Sequence, residues 1–300
     1  MAKAVYVGVN SKARKMKKAY IGISGKARKV KKMYIGVGGK ARLCYSAEAD
    51  KFGTATPLSK YRSLLAGTTV GGYALFGGGG YDSDARKGEA IMDAYNASLT
   101  RTTATPLVDE IWACAGGSVG GYAVFGGGCD MNTDTSHIEP IGGTGVVQTY
   151  DSSLTSSKAA PLSCPRAVHS AATIGNHLLF AGGYNSTTGK YLSTVESYDA
   201  SLTRSTAVEL SSAKNGLASA TVGEYAMFAG GYKGKSDAAY VATVDAYNTA
   251  LTKTTMPDLS VGRYGLASAV IGDYALFAGG ISKISSTIDQ YQDVVDVYSA

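Results

Sequence analysis

The sequence predicts an all-β chain in two parts, and two internal repeats of different length together with heavy glycine usage carry that prediction. Of 300 residues, 39 are Gly and only 6 are Pro, while apolar residues make up 45% and charged ones 17%. That composition supplies enough apolar surface for a core and too little charge for general disorder. The four Cys, at 44, 114, 129 and 164, form no CxxC pair, so they read as isolated thiols rather than a zinc ribbon or a disulfide framework.

The short repeat comes first. Tyr6, Tyr20 and Tyr34 stand 14 residues apart, each within a unit Y-[VI]-G-[VI]-x-[SG]-K-A-R. Apolar residues alternate with Tyr and Gly as a strand requires, and Asn10-Ser11, Ser24-Gly25 and Gly38-Gly39 supply turn residues before each basic run, so each unit predicts a β-hairpin. Residues 1–42 hold 13 Lys or Arg and no acid, whereas the remainder carries a net charge of −7. The overall pI of 8.9 therefore describes neither part. A lone hairpin is marginal in water, so residues 1–44 are expected to attach to a partner or to copies of themselves. Val7, Ile21 and Ile35 are the candidate apolar assembly positions, and Lys15 and Lys29 the candidate basic ones. One Tyr per unit is too few to make a base-stacking platform, so nucleic acid is not the expected partner. Cations also interrupt every apolar stretch near the start, which predicts no secretory signal. The uncharged stretch from Ile111 to Cys129 is broken by Gly and repeats elsewhere as two short strands, so it predicts no membrane span.

The long repeat fills residues 45–300. GGYALFGGG, GGYAVFGGG, GNHLLFAGG, GEYAMFAGG and GDYALFAGG recur at intervals of 49, 55, 48 and 49 residues. A second marker follows each, as DAYNASLT, QTYDSSLT, ESYDASLT, DAYNTALT and DVYSA, placing Tyr at 95, 150, 198, 247 and 298. Each unit reads as an inner strand, a second strand ending at the di-glycine, a third at the marker Tyr and an outer one in LT-x-T-x-x-x-P-L. One such sheet cannot bury both faces, so the units are expected to stack. The chain ends after the third strand of unit five, and residues 52–58, FGTATPL, match RTTATPL at 101–107. Closure of a ring by residues 52–58, laid beside residues 294–298, is the resulting expectation.

A period near 50 with a strand ending in Gly-Gly resembles the kelch repeat of β-propellers. The resemblance covers residues 51–300 and implies a five-bladed kelch-like β-propeller preceded by the small hairpin segment. It departs from familiar kelch units in having Leu99, Leu154, Leu202 and Leu251 where those carry Trp. The phrases YDSSLT, TATPL and YALFAGG, joined to the basic YVGVxGKAR units, are also similar to structural proteins of phages and prophages of Gram-positive bacteria.

Candidate sites lie on loops. An antiparallel meander puts the second-to-third-strand loops on the same face as the connections between units, and those loops vary in length, as binding loops do. Arg62, Trp112, Arg166, Lys214, Arg263 and Tyr264 stand at the connections and are the candidate binding residues. The longest loop, CDMNTDTSHIEP, gives Asp130, Asn132 and Asp134 the alternate spacing of a calcium loop, though Thr135 replaces the turn Gly. No other cofactor is expected. Asp93, Glu196, Asp245 and Asp296 recur two residues before the marker Tyr, which points to a repeated bond to backbone rather than to a unique active site. The chain is accordingly expected not to be an enzyme. It reads as a virion protein that docks through its basic segment onto other virion proteins and displays the propeller toward a host glycan or protein. A lectin-like module and a carbohydrate-active propeller are the alternatives.

Overall fold

The computed structural model describes residues 55–80, 88–131, 140–234, 239–285 and 288–299, and six strands between residues 6 and 46. All regular structure in it is strand, and the chain divides into two compact units, Met1–Thr54 and Ala55–Ala300.

In the first unit the 14-residue repeats form three antiparallel hairpins. Tyr6–Val9 pairs with Lys12–Lys15, Tyr20–Ile23 with Lys26–Lys29, and Lys32–Val37 with Lys40–Ser46. The register sets Val7, Ile21 and Ile35 opposite Arg14, Arg28 and Arg42, and Lys15 and Lys29 opposite Tyr6 and Tyr20. The third hairpin runs on through Ser46.

The second unit is a row of five antiparallel meanders, one per long repeat. Repeat 3 shows the pattern: inner strand Ser170–Ile174, second His177–Ala181, third Val195–Asp199 and outer Arg204–Ala207. Repeats 1, 2 and 4 have the same four strands in the same order. Repeat 5 has three, Ala267–Ile271, Tyr274–Ala278 and Val295–Ser299. Residues 52–54 lie outside the described residues, and with them part of the expected closing strand. Residues 55–58 form no strand; Thr56 and Pro57 instead accept hydrogen bonds from Tyr95 and Arg101 of repeat 1.

The marker residues explain why the units stack. Each marker Tyr lies edge-on to the Phe of its second strand, as in Phe180–Tyr198 at 5.8 Å and Phe228–Tyr247 at 5.9 Å. Each also donates its hydroxyl to a backbone carbonyl of the segment leading in from the previous repeat, Tyr198 to Ala160 and Tyr247 to Val208. The apolar body thus packs inward while the polar tip finds a partner, and burial pushes these phenols well above their ordinary pKa. One residue on, Asn96, Asp151, Asp199 and Asn248 each accept two backbone N–H bonds through Oδ1 and fold the turn before the outer strand. That turn holds Leu99, Leu154, Leu202 and Leu251 at positive φ, and Leu154, Leu202 and Leu251 repay the strain by packing on the core.

The di-glycine does more than allow a sharp exit. A Cβ on Gly127, Gly182 or Gly230 would sit 2.5, 2.6 or 2.6 Å from the carbonyl oxygen of Arg166, Lys214 or Arg263 in the next repeat. The following Gly donates its N–H to that same carbonyl, as Gly183 does to Lys214 at 2.8 Å. Gly is required because backbone meets backbone between consecutive sheets.

Candidate functional site

Two sets of loops meet on one rim of the row. The second-to-third-strand loops fold back as small hairpins, Tyr184–Asn185 with Lys190–Tyr191 and Ile281–Ser285 with Ile288–Tyr291, and Tyr232 bridges Tyr240. The connections between repeats pair with them through the bridges Trp112↔Cys129, Ala167↔Tyr184, Asn215↔Tyr232 and Tyr264↔Ile281. The expected shared face is therefore one hydrogen-bonded surface.

Five tyrosines form a continuous chain of ring contacts there. Tyr184 lies 5.2 Å from Tyr191, Tyr191 5.7 Å from Tyr232, Tyr232 5.4 Å from Tyr240, and Tyr264 lies 6.0 and 6.3 Å from Tyr232 and Tyr240. All five are half-buried, and they come from repeats 3, 4 and 5. Such rings offer flat apolar area with a hydroxyl at the edge and lose little conformational entropy on binding. Tyr264 was legible as a candidate from sequence; Tyr184, Tyr191, Tyr232 and Tyr240 were not. The missed signal is Gly-Gly-Tyr at 182–184 and 230–232 with a second Tyr on the returning strand of the loop.

The candidate cations lie elsewhere. Arg62, Arg166, Lys214 and Arg263 are buried side chains held within their own repeats. Arg166 Nη2 is 2.7 Å from Glu196 Oε2, Arg263 Nη2 is 2.7 Å from Asp296 Oδ2, Arg62 Nη1 is 2.9 Å from Asp93 Oδ2, and Lys214 Nζ is 3.5 Å from Asp245 Oδ2. Several further donors go to carbonyls, as from Arg62 to Gly78 and Phe76 and from Arg166 to Gly182 and Thr194. The cations expected to bind a ligand are corrected to a set of internal struts, because long side chains starting at the connection reach inward to the carboxylate two residues before the marker Tyr. Each carboxylate also accepts a backbone N–H from the incoming segment, Ser59, Ser163, Ser211 and Ser260 in turn. Burial acts to raise the Asp296 pKa, but the Arg263 and Ser260 bonds together outweigh it and hold the carboxyl below its ordinary value. Repeat 2 replaces both partners: Ile111 stands at the cation position and Gln148 at the carboxylate position, where Gln148 still accepts from the Val108 N–H. Trp112, beside it, is buried against Cys129 and Ala167 and is a core residue, not a ligand contact.

A family model, the Kelch motif, matches residues 165–201. The match and the all-strand fold together support a kelch-repeat β-structure. The matched segment runs through the inner, second and third strands of repeat 3 and so contains Arg166, Glu196, the di-glycine and Tyr198. No curated protein matches the chain.

Repeat 3 also carries His169 where repeats 1, 4 and 5 have Leu65, Leu217 and Leu266. Its ring is buried against Phe180 at 5.6 Å. Burial, then the nearby Arg166 charge, lowers its pKa from 6.5 to about 3. A lowered folded pKa means the unfolded chain takes up the proton first. The stability from keeping His169 neutral is thus full above pH 6.5 and drains away as the pH falls toward about 3. At about 1.4 kcal/mol per unit, moving from pH 7 to pH 5 should cost about 2 kcal/mol through this residue. His169→Leu should flatten the fall in melting temperature over that interval; equal falls in both proteins would contradict the assignment.

Among the described residues no three His, Cys, Asp or Glu side chains gather as a metal site. Asp130 lies in a short hairpin with Ile141, while Asn132 and Asp134 of the expected calcium loop lie outside the described residues. Cys114, Cys129 and Cys164 are free thiols, and burial pushes the first two up to about 12, which makes them poor nucleophiles. Among the described residues no helix is long and apolar enough to cross a membrane.

Proposed function

We propose that the chain is a structural protein of a phage virion, in the role of fibre, decoration or tail accessory, that docks through its basic hairpins and binds a host surface through the tyrosine-lined rim. The chain of five rings across repeats 3, 4 and 5 carries the binding half of this reading, since loops on a stacked scaffold are where specificity is placed. A kelch-repeat scaffold fits protein recognition in general, and a protein is the partner favoured here. The docking half rests on the acid-free charge of residues 1–42 against the net −7 of the rest. A closed five-bladed propeller and a lectin-like role are the finer alternatives for the scaffold and its ligand. The loops between second and third strands differ in length and content from repeat to repeat, which disfavours a set of identical sugar sites.

Two measurements test this. Particles released by the encoding strain, purified by density gradient and digested for mass spectrometry, should contain peptides of the chain; particle fractions free of them would sink the virion role. Replacing Tyr232 and Tyr264 by Ala should lower binding of the purified protein to host cells at least tenfold, as the loss of central aromatic anchors does. Unchanged cell binding by a folded double variant would move the site elsewhere.

A further inference from the structure

Each junction between neighbouring repeats uses the same two contacts, a third recurs at three of the four junctions, and all three stop, in complementary form, at the two ends of the row. The first is apolar. Ala218, Ala220, Val222 and Met227 of repeat 4 pack against Ala275, Phe277 and Tyr298 of repeat 5. The face of repeat 5 that corresponds to the covered face of repeat 4 carries Ala267, Ala269, Ile271, Leu276 and Val297, and among the described residues no sheet covers it: Ile271 is 69% exposed where Val222 is 3%. At the other end, Ala74, Phe76 and Tyr95 of repeat 1 match Ala275, Phe277 and Tyr298, and they are only half-buried, lining an open apolar hollow of about 690 Å³ with Leu58, Leu65 and Gly67.

The second contact is a circumferential chain of backbone bonds. Ala113 donates to Leu64, Val168 to Ala113, Gly216 to Val168 and Gly265 to Gly216. Those five residues hold φ between 51° and 66°, so the chain is one repeated local geometry. It leaves an acceptor at Gly265 and a donor at Leu64. The third contact joins turns: a Cβ on Gly71, Gly120 or Gly175 would meet Ser152, Ala200 or Thr249 of the following repeat, whereas one on Gly272 of repeat 5 would meet nothing within 4 Å. The residue of repeat 1 that corresponds to Ser152, Ala200 and Thr249 is Ala97.

We infer that the exposed face of repeat 5 docks on the exposed face of repeat 1 of a second copy of the chain, forming a fifth junction of the same kind head to tail. The two surfaces match residue for residue because they are the two halves of a contact already made four times within the chain. A second copy is the occupant because the junctions have no slack. A Cβ on Gly78, Gly127, Gly182 or Gly230 would lie 3.1, 2.5, 2.6 or 2.6 Å from a carbonyl oxygen of the next repeat, so bending the row until its own ends meet would have to open close-packed contacts at every junction. The contact is heterologous, and each added copy leaves one of each face free until a ring closes or a filament grows.

Disulfide trapping in the full chain decides this. A Cβ on Gly175 would lie 3.6 Å from that of Thr249, the spacing a disulfide needs. By equivalence Gly272→Cys should reach Ala97→Cys across the new junction. A chain carrying only Ala97→Cys, mixed with one carrying only Gly272→Cys under mild oxidation, should give a disulfide-linked dimer that neither gives alone. Adding Ile271→Asp to the second chain should abolish it. The inference is overturned if the mixture gives no dimer, or if a chain carrying both cysteines cross-links only within itself, which would show a ring closed by one chain.

Discussion

Arg166→Met should destabilise the protein by about 3–5 kcal/mol, because it leaves Glu196 charged and buried without its closest partner. Glu196 would retain Arg204 at 3.2 Å and the Ser163 N–H, which places the loss toward the lower end of that range. Arg166 also satisfies the carbonyls of Gly182 and Thr194, and Met cannot replace those donors. Repeat 2 predicts the remedy, since it works with Ile111 and Gln148 at the two positions. Adding Glu196→Gln to Arg166→Met should therefore restore more than half of the lost stability, while Glu196→Gln alone should also destabilise by leaving the guanidinium unpaired. Denaturant unfolding of the three variants measures the coupling. Additive losses would mean that the pair is incidental to stability.

The same pair shows what the amino-acid sequence could and could not disclose. The repeated carboxylates and the cations at the connections were both visible as periodic features, and a backbone bond for the carboxylate was expected and is present. Their partnership was not visible, because about 30 residues separate Arg166 from Glu196 and only the meander brings them together. Repeat 2 held the clue, as the cation and the carboxylate are lost together there. The strands themselves were legible because Gly-Gly and the marker Tyr punctuate every unit at fixed phase. The tyrosine chain was not, since Tyr191 and Tyr240 sit in loops of differing length where that phase is lost. Whether the two ends of the row meet depends on a small rotation summed over successive junctions, and no single residue reports that sum.

Replacing Val7, Ile21 and Ile35 with Ser should abolish attachment of the basic segment to its assembly at any salt concentration. Each stands in the first strand of a hairpin, at the same register position opposite Arg14, Arg28 and Arg42. A hairpin alone is marginal in water, so hairpins that persist must gain apolar burial from a partner, at about 25 cal/mol per Å² of buried area. Thirteen cations without an acid act differently, since exposed charges are screened beyond about 8 Å at physiological ionic strength. Charge should therefore steer encounter, and moderate salt should slow assembly while leaving formed assemblies intact. Light scattering during a salt jump separates the two effects: the growth rate should fall with salt and the mass of preformed assemblies should hold. If the triple Ser variant assembles normally while neutralising Lys15 and Lys29 dissociates the complex, electrostatics holds the segment in place, and an anionic polymer replaces a protein surface as its partner.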